Sequence, residues 1–300
     1  MTSPLSGTPY DLVFGEYTAS IASVGASLRS LRFRDRDLVV PFDAHEVRPA
    51  FRGATLAPWP NRVVDGRYSF GGELHELALT EPRRGHALHG LLGWTSFERV
   101  AGGADFVELA ATIEAQVGYP HPVVVTVEYR LSDTGLTETI TGLNVGSDAA
   151  PFGTGPHPYL VAGPGRVDDW ILEFEAAHVL AVTEDRLIPV GLVSIDDTEF
   201  DFRSPRVIGD TFIDHAFTGL GGSASVTLAD GSGVRMTWDA ACPWLQLHTA
   251  DQPTPAINRL GLAVEPMTCP PDAFNSGTDL IVLEPGSSTS ASWTISALVA

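Results

Sequence analysis

The feature that most constrains this 300-residue chain is its punctuation: short β-rich runs recur along almost the whole length, each closed by Gly, Pro, Asn or Asp. Such runs fall at 17–21, 37–40, 68–70, 106–113, 123–131, 136–144, 170–174, 225–228, 234–238, 244–249 and 292–295. Residues 123–131 read V-V-V-T-V-E-Y-R-L and alternate after an apolar start, the signature of a half-buried strand. Residues 136–144 alternate likewise, and Asp133-Thr134-Gly135 between them predicts a hairpin turn with a left-handed glycine. No window of about 12 residues keeps a helical apolar stripe free of Gly and Pro. No low-complexity linker, block of like charge or fixed-period repeat divides the sequence. The expected fold is all-β: a single large antiparallel β-sandwich, with 1–300 as one domain.

Charge narrows the partners. The 18 Lys and Arg against 37 Asp and Glu give a net charge of −19, which repels nucleic acid and anionic membrane surfaces. The same charge favours neutral substrates, although a local arginine can still hold one anionic group. No stretch approaches the roughly 18 apolar residues that span a bilayer. The first residues lack the basic and apolar regions of a signal peptide. Cys242 and Cys269 make neither a disulfide framework nor a paired CxxC motif. A cytoplasmic protein is expected.

Four segments gather polar and ionisable residues in unusual company. Pro58-Trp-Pro-Asn61-Arg62, followed by Asp65-Gly-Arg-Tyr68, is a stiff aromatic turn that presents an Asn-Arg pair. Its arginine is a planar multi-donor that can hold a sugar hydroxyl, ring oxygen or carboxylate, or can pin the loop by backbone carbonyls. His86-Ala-Leu-His89-Gly90 puts its two histidines on opposite faces of an extended segment, which disfavours zinc even with His75 nearby. Gly153-Thr-Gly-Pro-His157-Pro158-Tyr159 confines a histidine between prolines, a rigid setting suited to delivering a proton to an ether oxygen. Leu262-Ala-Val-Glu265 ends an apolar strand on a carboxylate, before a Pro-rich loop to Asp272 and Asn275. Burial would raise the pKa of that carboxylate and hydrogen bonding would lower it. Asp214-His-Ala-Phe217 is a fifth candidate, equally readable as a turn.

Taken in order, P-W-P-N-R at 58–62 with D-G-R-Y, L-H-G at 88–90, H-P-Y at 157–159, D-H-A-F at 214–217 and V-E-P with P-D-A-F-N at 264–275 resemble the aldose 1-epimerase (galactose mutarotase) family over roughly residues 15 to 295. The resemblance implies the galactose mutarotase-like supersandwich and a small-molecule sugar substrate bound in a groove on one face, with no metal or nucleotide cofactor. It also implies Glu265 as general base and His157 as general acid. His89 and Arg62 match groups that bind the sugar near its ring oxygen and anomeric end, and Asp214 matches a carboxylate that holds hydroxyls. Asn61, next to the matching arginine, shares its job. An acidic role requires His157 to be at least partly protonated, a form that nearby carboxylates favour.

The chain departs from the galactose-type pattern: Pro156 stands where an Asn is usual before the histidine, and L-H-G continues Leu-Leu-Gly-Trp rather than into a second Gly. This variation resembles a bacterial branch that includes sulfosugar mutarotases and hexose-phosphate epimerases. Arg83 and Arg84 would then meet an anionic substituent, unless they belong to a solvated loop. Two rival readings are a carbohydrate-binding protein without catalysis and a glycosidase, which needs two carboxylates facing across a bond.

Overall fold

The computed structural model describes residues 4–300. Two large antiparallel sheets dominate it. The larger has nine strands, in the spatial order Glu98–Gly102, Phe106–Ile113, Val123–Ser132, Gly135–Asn144, Ser288–Leu298, Gly233–Trp238, Ser223–Thr227, Ile171–Phe174 and Arg206–Val207. The other has six: Tyr159–Leu160, Leu262–Met267, Trp244–His248, Asp214–Thr218, His178–Val182 and Pro189–Ser194. A four-stranded N-terminal sheet packs into the same core through Leu12, Ile21 and Leu31. The only α-helix among the described residues is Ala273–Ser276. The all-β sandwich expected from sequence is the fold observed.

Period-two patterning explains how the layers meet. Along Val123–Ser132 burial alternates residue by residue, and Val125, Val127 and Tyr129 enter the shared core. From the six-stranded sheet, Phe217, Leu245, Leu247 and Val264 enter the same core. Their neighbours Ala216, Gln246 and Glu265 therefore share the opposite face, in one row across three strands, because Ala216 pairs with Gln246 and Gln246 with Glu265. The adjacent row aligns Asp214, His248 and Ala263. Register alone has gathered polar groups from three distant segments on one face.

The hairpin at 133–135 forms as expected: Ser132 pairs with Gly135, whose φ is +125°. Three local expectations change. Only Asp37 of the predicted run 37–40 lies in a strand, the short Arg36–Asp37; Val39 then bridges to Leu160 and the Val40 N–H donates to Tyr159 O. The segment thus passes from one sheet to another. Asp214–Thr218 is a strand rather than a turn. The strand carrying Glu265 does not end there but continues through Pro266 to Met267. Proline is tolerated because the ladder with Tyr159–Leu160, on the other side of this strand, has already stopped at Ala263.

One acid lies inside the core. Glu138 is 4% exposed, and its Oε2 accepts a hydrogen bond from Trp293 Nε1 at 2.9 Å. Tyr129 Oη sits 2.7 Å from Ala26 O and 2.9 Å from Glu138 Oε1. A phenol has one hydrogen and a carbonyl can only accept, so Glu138 meets the hydroxyl as a neutral acid that donates. Burial pushes its pKa up to about 8, against the smaller lowering by Trp293 and Tyr129.

Candidate active site

The face that carries Glu265 opens into a cleft of about 340 Å³. All six site residues expected from sequence line it: Asn61, Arg62, His89, His157, Asp214 and Glu265. Gln246 donates from Nε2 to Asp214 Oδ1 at 2.8 Å, which orients that carboxylate. His157 arrives from the neighbouring Gly155–Pro156 strand, and its carbonyl is held by the Gly53 N–H at 2.8 Å. Gly155 allows the approach, since a Cβ there would lie 2.8 Å from Pro266 O. The result is a contact of 3.4 Å between His157 Nε2 and Glu265 Oε1.

The second wall is built from the 55–62 and 86–90 segments. Arg62 pairs in register with Leu88, and the His89 N–H donates to Asn61 O at 2.8 Å. The Arg62 guanidinium is gripped from behind by Glu81, with Nε to Oε2 at 2.8 Å and Nη2 to Oε1 at 3.1 Å. Its Nη1 reaches Asn61 Oδ1 at 3.3 Å. His86 turns the other way and is structural. Its Nδ1 accepts from the Asp65 N–H at 3.2 Å and its Nε2–H donates to Arg186 O at 2.8 Å, which fixes one neutral tautomer. Asp272 and Asn275 also lie outside the cleft and brace the loop: Asp272 Oδ1 accepts from the Val64 N–H, and Asn275 Nδ2 donates to Arg67 O.

Backbone strain concentrates around this cleft. Ala50, Phe51, Asn61 and His89 all line it, and all have left-handed φ between 47° and 62°. Each such non-glycine residue costs on the order of 1–3 kcal/mol and persists only when its surroundings over-determine it. His89 is followed by Gly90 at φ +72°, where a Cβ would lie 2.1 Å from Ala57 O. A tight double left-handed step is what turns the His89 ring inward.

Burial sets the electrostatics. Glu265 is 1% exposed; desolvation, and then the nearby Asp214 charge, raise its pKa well above the ordinary carboxylate value, while Arg62 pulls the other way. His157, 5% exposed, is driven down to about 3 by burial first, then by His248 and Arg48. His89 is likewise held well below its usual value, chiefly by burial. The partly protonated His157 expected from its carboxylate neighbours is therefore disfavoured: desolvation outweighs one carboxylate at 3.4 Å. Among the buried atoms with no hydrogen-bond partner are His89 Nδ1, His157 Nδ1 and Glu265 Oε2, on three of the expected site residues. Buried polar atoms are rarely left unpaired, so these are positions that a hydroxyl-rich ligand would satisfy.

Phe51, Tyr159, Gln246 and His248 are among the cleft residues that escaped the sequence reading. Gln246 and His248 share one parity in the alternating run 244–248, but nothing in the run says which face meets the cleft. Phe51 packs 4.8 Å from His89 and 6.4 Å from His157, ring centroid to centroid. The Tyr159 ring stacks on His157 at 5.1 Å. Tyr159 stood within the H-P-Y motif, and only its role as a wall was missed.

The cleft thus sets a buried carboxylate–imidazole contact among polar groups on a large antiparallel sandwich. The chain belongs to the aldose 1-epimerase family, whose profile matches residues 10–296. It is 36% identical over 285 residues to YihR, an uncharacterized protein of Escherichia coli K12, covering 94% of this chain and 90% of that one. Mouse galactose mutarotase is 26% identical over 229 residues, 70% of this chain and 65% of the mouse protein. In structure, a GalM/aldose epimerase homologue from C. elegans matches with a TM-score of 0.85 at 21% identity, covering 97% of this chain and 99% of that one. No helix among the described residues is long and apolar enough to cross a membrane.

Proposed function

We propose that this protein is a mutarotase, interconverting the α and β anomers of an aldose by acid–base ring opening and reclosure. The observation that carries this reading is the 3.4 Å contact of His157 with Glu265, both buried at the floor of a cleft that also presents Arg62, His89 and Asp214. A cyclic hemiacetal opens when its C1 hydroxyl loses a proton while its ring oxygen gains one. Glu265 takes the first proton and His157 gives the second. The C1–O5 bond breaks to an aldehyde, rotation about C1–C2 presents the other carbonyl face, and reclosure with reversed roles yields the other anomer.

Burial raises the pKa of the Glu265 carboxyl and lowers that of the His157 imidazole, favouring the neutral form of each. The productive arrangement carries a proton on His157 and none on Glu265, and hydrogen bonds from a bound sugar to the Glu265 carboxylate favour it. Arg62, oriented by Glu81, and His89 act at the ring-oxygen and anomeric end, with Asn61 beside Arg62. Asp214, oriented by Gln246, holds hydroxyls. In a glycosidase Asp214 would serve as the second catalytic carboxylate, whereas here it is already engaged by Gln246.

A second reading concerns the substrate. Arg83 and Arg84 both line the cleft; Arg84 is paired with Glu81, but Arg83 makes no ion pair among the described residues. On a protein of charge −19, an unpaired cation at the cleft favours a sugar that carries a phosphate or sulfonate. Anomer-exchange NMR on D-glucose, D-galactose, a hexose 6-phosphate and a 6-sulfonated hexose tests both readings. Wild type should accelerate exchange for at least one sugar, and Glu265→Gln and His157→Asn should each reduce the rate about 10²–10⁴-fold. Exchange only with the charged sugars selects the second reading. Sugar binding without any acceleration would identify a binding protein instead.

A further inference from the structure

Among the described residues, Arg48 is a buried cation that no carboxylate pairs with. It is 5% exposed, and its guanidinium donates only to neutral acceptors: Val24 O, Ser27 Oγ and Gly93 O. Its Cζ lies 4.6 Å from the centroid of the Trp94 ring. Burial lowers its pKa to about 10, which leaves it charged at neutral pH. The socket is purpose-shaped, since a Cβ on Gly25 would fall 2.6 Å from Nη1. A buried charge without a partner is costly and calls for a reason.

What Arg48 anchors is the strained turn that follows it. Pro49–Phe51 forms a 3-10 turn in which Ala50 and Phe51 take φ of 47° and 54°. That turn touches the acid–base centre at three points. The Ala50 carbonyl accepts from Tyr159 Oη at 3.0 Å, and Tyr159 stacks on His157. The Gly53 N–H holds the His157 carbonyl at 2.8 Å. The Phe51 ring packs edge-on against His89, and His89 meets His157 with ring centroids 5.0 Å apart.

We propose that Arg48 is a positioning residue of the acid–base centre, clamping the 49–53 turn so that Phe51, Tyr159 and Gly53 hold His89 and His157 in fixed relation to Glu265. The proposal rests on the mutarotase reading above. A second consequence follows from its charge. The groups facing His157 are Glu265 and Asp214, which are acidic, the imidazoles of His89 and His248, the Tyr159 phenol, and the cations Arg62 and Arg48. Arg48 opposes a second proton on the pair. Removing that cation makes a doubly protonated, inactive pair easier to form, so the acidic limb of kcat moves to higher pH.

The test uses the full-length protein with Arg48→Met, Arg48→Lys and Phe51→Leu, each first checked for cooperative melting. Anomer-exchange kinetics from pH 4 to 9 give kcat and KM for each. Arg48→Met should lower kcat about tenfold or more with little change in KM, as expected for misplaced catalytic groups. Its acidic limb should move up, whereas Arg48→Lys, which keeps the charge but loses the planar fork, should lose kcat without moving the limb. Phe51→Leu leaves the buried cation intact, so it tests the clamp even if Arg48→Met fails to fold; it too should lose kcat with an unchanged limb. A wild-type kcat and pH profile in folded Arg48→Met, or in Phe51→Leu if the former does not fold, overturns the proposal. Failure of the mutarotase reading would look different: wild type itself would give no exchange with any sugar.

Discussion

At the scale of single residues, the cleft is defined by side chains whose needs are incompletely met. His157 Nδ1, His89 Nδ1 and Glu265 Oε2 lack partners, whereas Arg62 is fully committed on its far side to Glu81. Both members of that ion pair are nearly buried, at 10% and 13% exposure, so neither can exchange its partner for water at low cost. Glu81→Gln should therefore leave Arg62 free to swing. The expected result is a rise in KM of about tenfold, with a smaller fall in kcat and a lower melting temperature, measured by exchange kinetics and calorimetry. An unchanged KM would show that Arg62 needs no orientation from Glu81. Sequence inspection found Arg62 through its motif but not Glu81, because a carboxylate in a charged loop has no local mark of what it will grip.

At the scale of elements, strand register does most of the work. The antiparallel pairing of Asp214–Thr218, Trp244–His248 and Leu262–Met267 converts three alternating runs into one polar row, and a one-residue slip in any of them would bury that row in the core. The same logic puts Glu138 inside, between Tyr129 and Trp293 on neighbouring strands. Its folded pKa of about 8 lies above the ordinary carboxylate value of 4.5. The folded state thus holds a proton that the unfolded chain has released, and this contribution to stability is lost as pH rises from about 4.5 through 8. Glutamine mimics the neutral acid, donating to Tyr129 and accepting from Trp293. Glu138→Gln should melt a few degrees higher than wild type at pH 8, the gap closing towards pH 5. Thermal melts across that range decide it, and equal pH dependence in both proteins would mean that Glu138 is not the titrating group.

At the scale of the whole molecule, the net charge of −19 acts on stability and on encounter. Self-repulsion is screened by salt, so raising ionic strength to about 0.5 M should raise the melting temperature by a few degrees. Neutral sugars should show a kcat/KM independent of salt. For an anionic sugar the sign is informative. A rise with salt means that the global charge repels the substrate, and a fall means that Arg83 and Arg84 dominate the local field. Stopped salt titrations of the exchange rate distinguish the two.

The sequence by itself determined the all-β character, because alternation with a period of two and frequent Gly and Pro leave no room for helices. It also marked Asn61, Arg62, His89, His157, Asp214 and Glu265, whose motifs are short, local and ordered along the chain. Tertiary structure alone decided that His157 and Glu265 meet, that both are buried, and that His86 is held away from the cleft by the Asp65 N–H and Arg186 O. It alone revealed Gln246, Phe51, Glu81 and Arg48 as their supports. The physical reason is the same in each case. Pairing partners and burial are properties of what packs against a residue from elsewhere in the chain, and neither is encoded in the few positions beside it.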